Sequence, residues 1–83
     1  MTVSGFEWVY NAGSSWAPLD QYTQHTIERL WSCNGASWVS SPSFGGQQIY
    51  IDTSEMSLVI SGYSYTIARR QPRRQQQTRK RRM

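Results

Sequence analysis

The sequence predicts an α+β fold, one helix packed against a curved antiparallel sheet, on three observations. Phe6, Trp8 and Tyr10 alternate with Glu7 and Val9, the period of a strand with one buried face. Residues 21–32 carry a single apolar stripe at helical spacing. After Gly35 the pattern turns to short runs rich in β-branched and aromatic residues, separated by turn formers. One helix against a sheet satisfies the two-layer rule at minimum length.

Each element has a local reason. Asn11-Ala-Gly-Ser-Ser15 is a polar, Gly-containing turn, so residues 5–18 read as a hairpin whose second strand begins at Trp16 and ends at Pro18. Asp20 is an expected helix N-cap, its carboxylate accepting an orphan N–H. Thr23, Ile27, Leu30 and Trp31 then share one face, with Thr26 beside them, while Gln21, Gln24, Glu28 and Arg29 lie mostly away from it. Asn34-Gly35 supplies the left-handed residue that stops the helix. Strands are expected at 36–40, 47–52, 56–61 and 63–70, punctuated by Ser41-Pro42, Gly45-Gly46, Asp52-Thr-Ser54 and Ser61-Gly62. From Gln71 to the terminal Met83 no other apolar residue occurs, so residues 71–83 are expected to form a disordered basic tail after a domain at 1–70.

The totals bound the function. A chain of 83 residues holds one domain, and a domain this small must close its core with large side chains. Its four tryptophans, five tyrosines and two phenylalanines supply them. Trp8, Trp16 and Trp31 are expected in the core, and Trp38 either in the core or at a ligand. A lone Cys33 and a lone His25 make neither a disulfide nor a structural zinc site, and they are too far apart in sequence to act as a nucleophile pair. No pair of carboxylates is spaced for acid–base work. The expectation is a non-enzymatic protein with no cofactor or metal, no membrane span and no signal peptide, and an intracellular location.

Charge is unevenly placed. Five acids (Glu7, Asp20, Glu28, Asp52, Glu55) against one base (Arg29) leave residues 1–68 at −4, whereas eight bases between Arg69 and Arg82 put the remainder at +8. The basic clusters at 69–74 and 79–82 read as a nuclear-import signal or as a weak, salt-sensitive grip on nucleic acid or poly-ADP-ribose. A solvated tail without a partner is the third reading.

Taken in order, these residues resemble the WWE family over residues 6–70. Trp8 and Trp16 on the opening hairpin and Glu28 after Ile27 in the helix match the two tryptophans and the glutamate that name it. Ile49-Tyr50-Ile51-Asp52 with Met56 fits its strand–Asp–x₃–Met segment, and Gly62 through Arg69-Arg70 fits its closing strand. The resemblance implies a half-barrel of about six mostly antiparallel strands with the helix packed across it. It also implies a recognition role, since several members hold an iso-ADP-ribose unit of poly-ADP-ribose at the open end of the half-barrel, in ubiquitination or ADP-ribosylation pathways. The ligand-binding residues expected on this basis are Tyr10, Tyr50, Tyr65, Arg69 and Arg70. The family's other reading positions are altered here. Ala17 stands in place of an aromatic, Ile49 of a tyrosine, Leu58 of a glutamine and Tyr65 of an arginine. Those changes make the cleft more apolar and suit a partly aromatic ligand or a peptide. The alternative function is therefore a WWE fold acting as a protein-interaction module. Glu28 is expected to be structural, paired with Arg69 or Arg70, and His25 to be a solvated helix residue.

Overall fold

Asp20 starts the helix. Its backbone is extended and its Oδ2 accepts the Thr23 N–H at 2.9 Å, which satisfies one of the donors that a helix start leaves free. The computed structural model describes residues 6–71, and within them α1 runs from Gln21 to Trp31. The strands are β1 Glu7–Asn11, β2 Trp16–Pro18, β3 Ala36–Ser41, β4 Gln47–Asp52, β5 Ser57–Ile60 and β6 Tyr63–Arg70, with a 3-10 turn at Pro42–Phe44 after β3. The expected tail lies outside the described residues from position 72 on. None of the described helices is long and apolar enough to cross a membrane.

All six strands join one antiparallel sheet in the order β2-β1-β6-β5-β4-β3. Strand β6 joins the two halves: its residues 63–66 pair with β5 and its residues 67–70 with β1. In a flat sheet β1 and β3 would stand about 19 Å apart, roughly twice the width of a helix. Yet α1 packs against both of them. The sheet must curl to bring them to one helix, which gives the expected half-barrel.

Registers decide which side chains face the helix, because cross-strand partners share a face. Trp8, Ile49, Ile51, Leu58 and Ile67 point into the concavity and meet Leu19, Val39 and Ile27 of the helix in one buried cluster. The opposite face carries Glu7 with Arg70, and Trp38 with Tyr50 and Val59.

The tryptophans divide differently from expectation. Trp8 is 1% exposed, but Trp16 is 41% exposed. The hairpin register explains the difference: Ala17 stands opposite Tyr10 on the concave face, so Trp16, opposite Asn11, faces outward. Trp31, at the last turn of α1, is also half open at 39% and lies edge-on to Trp8 with ring centroids 6.0 Å apart. The helix end is as expected, with Asn34 of the Asn34-Gly35 pair as the left-handed residue. Asn34 takes the left-handed conformation at φ 54°, while Gly35 donates its N–H to Leu30 O at 2.7 Å. Strand β5 is one residue shorter at each end than expected, because Met56 (φ 52°) and Ser61 (φ 50°) belong to the flanking turns.

Trp8→Ala should therefore cost about 3–5 kcal/mol, while Trp16→Ala should cost about 1 kcal/mol or less. Urea unfolding followed by circular dichroism measures both, and equal losses would contradict this assignment of faces.

Candidate functional site

Two groups of side chains on the concave face have the makings of a site. The first surrounds Glu28. Its Oε1 accepts the indole N–H of Trp8 at 2.8 Å and the Nε–H of Arg69 at 3.0 Å, and its Oε2 accepts from Arg69 Nη2 at 2.7 Å. The Arg69 guanidinium lies between two rings, its Cζ 3.8 Å from the centroid of Phe6 and 4.2 Å from that of Trp31. Hydrogen bonding from Arg69 holds the Glu28 carboxyl below its ordinary range, against the opposing pull of burial and with help from Trp8. The same pair raises Arg69 further. Gln24 completes this side. Its Oε1 accepts the Trp8 backbone N–H at 2.8 Å and its Nε2 donates to Leu19 O at 2.6 Å.

The second group is aromatic. Tyr10 of β1 meets Phe44 of the 3-10 turn at 5.3 Å and Tyr65 of β6 at 5.8 Å, centroid to centroid, with interplanar angles of 53° and 77°. All three rings are half-buried against the edge of the core. Phe44 reaches Tyr10 because Asp20 anchors the turn that carries it. Oδ1 of Asp20 accepts from the Ser43 N–H at 3.0 Å, from Ser43 Oγ at 2.6 Å, from Thr23 Oγ1 at 2.6 Å and from Ser41 Oγ at 3.3 Å. The Asp20 N–H in turn donates to Ser43 Oγ at 2.7 Å. Burial, the largest single influence, pushes the Asp20 carboxyl up, but the donors from Ser43 and Thr23 together outweigh it and hold it at about 2 against an ordinary 3.8.

The five ligand-binding residues expected from the sequence are divided among four places. Tyr10 and Tyr65 come together on the concave face. Arg69 shares that face but sits four residues further along β6, about 13 Å from Tyr65, and is bound to Glu28. Arg70 is on the convex face, paired with Glu7 at 2.8 Å. Tyr50 is also convex, packed on Trp38 at 5.1 Å. The expected pairing of Glu28 with one of the two arginines is present, and that arginine is Arg69. Phe44 is the member that sequence reading missed. It lies between Ser41-Pro42 and Gly45-Gly46, inside what reads as a plain turn.

Among the described residues no three His, Cys, Asp or Glu side chains are grouped as a metal ion would require. Chemically, the aromatic group offers ring faces and tyrosine hydroxyls. No protein-family model matches the sequence, and no curated protein is significantly similar to it.

Charged Asp20 should stabilise the fold fully above about pH 4, because its folded value of about 2 lies below its unfolded one. That contribution drains away as the pH falls toward 2, in the same direction as the contribution of Glu28. Asp20→Asn should cost about 1–2 kcal/mol at neutral pH and leave a shallower acid slope. Urea midpoints taken at steps from neutral pH down to about 2 test it. An unchanged slope in the variant would show that Asp20 does not hold the turn.

Proposed function

We propose that this chain is a non-enzymatic recognition module of the WWE type, working through the open aromatic end of its half-barrel. The observation that carries the reading is the convergence of Tyr10, Phe44 and Tyr65 on the concave face. The half-barrel with the helix packed across it is the arrangement the family resemblance implies.

Two ligand classes follow from that resemblance, and the charges favour one. An ADP-ribose unit brings an adenine that would stack on the rings and a pyrophosphate that needs cations. Arg69 and Arg70 are the cations nearest in sequence to Tyr65, and both are paired with carboxylates. The lost contacts, at about 1.5–3 kcal/mol for each charge-assisted bond, amount to two to four powers of ten in affinity for a pair. A protein or peptide needs no pyrophosphate clamp, so protein interaction is the better supported class. Poly-ADP-ribose and ADP-ribosylated proteins are the second class, supported by the same rings. Nuclear import and nucleic-acid contact through the basic clusters complete the proposal, with the arm's contact expected to weaken steeply with salt.

Calorimetric titration of the full chain with iso-ADP-ribose should give no saturable heat below millimolar ligand. Micromolar binding that is lost in Tyr65→Ala, with the fold checked by circular dichroism, would instead make ADP-ribose the ligand.

A further inference from the structure

The two groups on the concave face share a chemistry, and one of them shows what it is for. Around Arg69 the chain combines aromatic rings, Phe6 and Trp31, with a carboxylate, Glu28, and the combination holds a guanidinium. Around Tyr10 it again combines aromatic rings with a carboxylate. Asp20 is bonded to Ser43, the residue before Phe44, and stays ionised down to about pH 2. Its oxygens are taken up by Thr23, Ser41 and Ser43, so Asp20 acts on this end by its charge and not by contact. Among the described residues the lysines and arginines are Arg29, Arg69 and Arg70. Arg69 is taken by Glu28 and Arg70 by Glu7. Arg29 is nine residues along the helix from Asp20, about 13 Å away along its axis. Among the described residues the second group therefore has the rings and the negative field without a cation beside it. Tyr63, 67% exposed and two residues before Tyr65 on the same face of β6, extends the aromatic surface outward.

Resting on the recognition reading above, we infer that the Tyr10–Phe44–Tyr65 group receives a cationic side chain, an arginine or a methylated lysine, of a protein partner. The face of an aromatic ring is the negative end of its quadrupole and attracts a guanidinium or quaternary ammonium. Tyr10 and Tyr65 stand at 77° to one another, so the cation would meet a corner of two rings, with Phe44 also packed on Tyr10. A pyrophosphate in the same place would face the Asp20 field with no unpaired cation beside it among the described residues.

The test follows the ring proton resonances of Tyr10, Phe44 and Tyr65 in the full chain by NMR during four titrations. The probes are acetyl-arginine amide, acetyl-trimethyllysine amide, acetyl-citrulline amide (the neutral analogue of arginine) and iso-ADP-ribose. The expected result is saturable shifts of the three rings with one or both cationic probes, at an affinity roughly fivefold or more above that for citrulline. Phe44→Leu and Tyr65→Leu, which keep apolar bulk, should each abolish that difference while the amide spectrum stays folded. If one variant fails to fold, the other decides. Equal responses to citrulline and arginine, or ring shifts with iso-ADP-ribose alone, would overturn the cation and leave the binding face in place. Silence of these rings toward all four probes would overturn the binding face as well.

Discussion

The fold turns on one carboxylate. Trp8 is the largest side chain in the buried cluster, and burying its ring also buries an indole N–H. Left without an acceptor, such a donor costs about 1–3 kcal/mol. Glu28 supplies the acceptor from the helix at 2.8 Å, which fixes how α1 is rotated over the sheet. A carboxylate so placed needs a counter-charge, and Arg69, opposite Trp8 in the β1–β6 register, provides it in a two-pronged bond. The guanidinium then has two open faces, which Phe6 and Trp31 cover. Each residue is called for by the one before it. Because the Glu28 side chain is 40% exposed, solvent screens the Coulomb part, and the group contributes more by setting geometry than by raw energy.

How much of this could be read from the sequence depended on whether a residue's role is set locally. The helix and the strands were legible because their periods are local. The N-cap at Asp20 was also legible, and so was the pairing of Glu28 with an arginine near the end of the last strand. Face assignments at single positions were harder. Ile49 and Ile51 both point inward, so Tyr50 between them must point outward to Trp38, and the alternation that says so was present in the sequence. Trp16 offered no such cue. A three-residue strand has too little alternation to declare a face, and its register is fixed by the Asn11–Ser15 turn. Phe44 was the least legible. It belongs to no periodic element, and its place beside Tyr10 follows from the bonds between Asp20 and Ser43, which are 23 residues apart in the chain.

A half-barrel has an open seam, and polar contacts close this one. At the start of α1, Asp20 and Thr23 tie the helix to Ser41 at the end of β3 and Ser43 in the following turn, and the buried hydroxyls of Thr23 and Ser41 lie 2.7 Å apart. At its far end, Thr53 donates both its N–H and its hydroxyl to Gly35 O, at 3.1 and 2.7 Å, joining the β4–β5 turn to the exit of the helix. Thr23, Ser41 and Thr53 are the buried polar side chains of the described residues. Each of the three finds its partner, as buried polar groups must. A domain with so small an apolar cluster thus spends hydroxyls where a larger one would use a further strand.

Structural need decides which charged side chains the concave face leaves free. Arginine on β6 is the natural reader of phosphate, but at position 69 it is already required by Glu28, which is itself required by Trp8. At position 70 the strand's alternation turns arginine to the convex side, toward Glu7. Position 65 points into the concavity, and there the chain has a tyrosine, packed on Tyr10. Among the described residues the concave face therefore gathers the rings of Tyr10, Phe44 and Tyr65, while the guanidiniums of Arg69 and Arg70 are held by carboxylates. With Asp20 ionised beside Phe44 to hold the turn, the same bond that positions the ring also sets the sign of the field around it. The charge around these rings is thus a consequence of how the seam is closed.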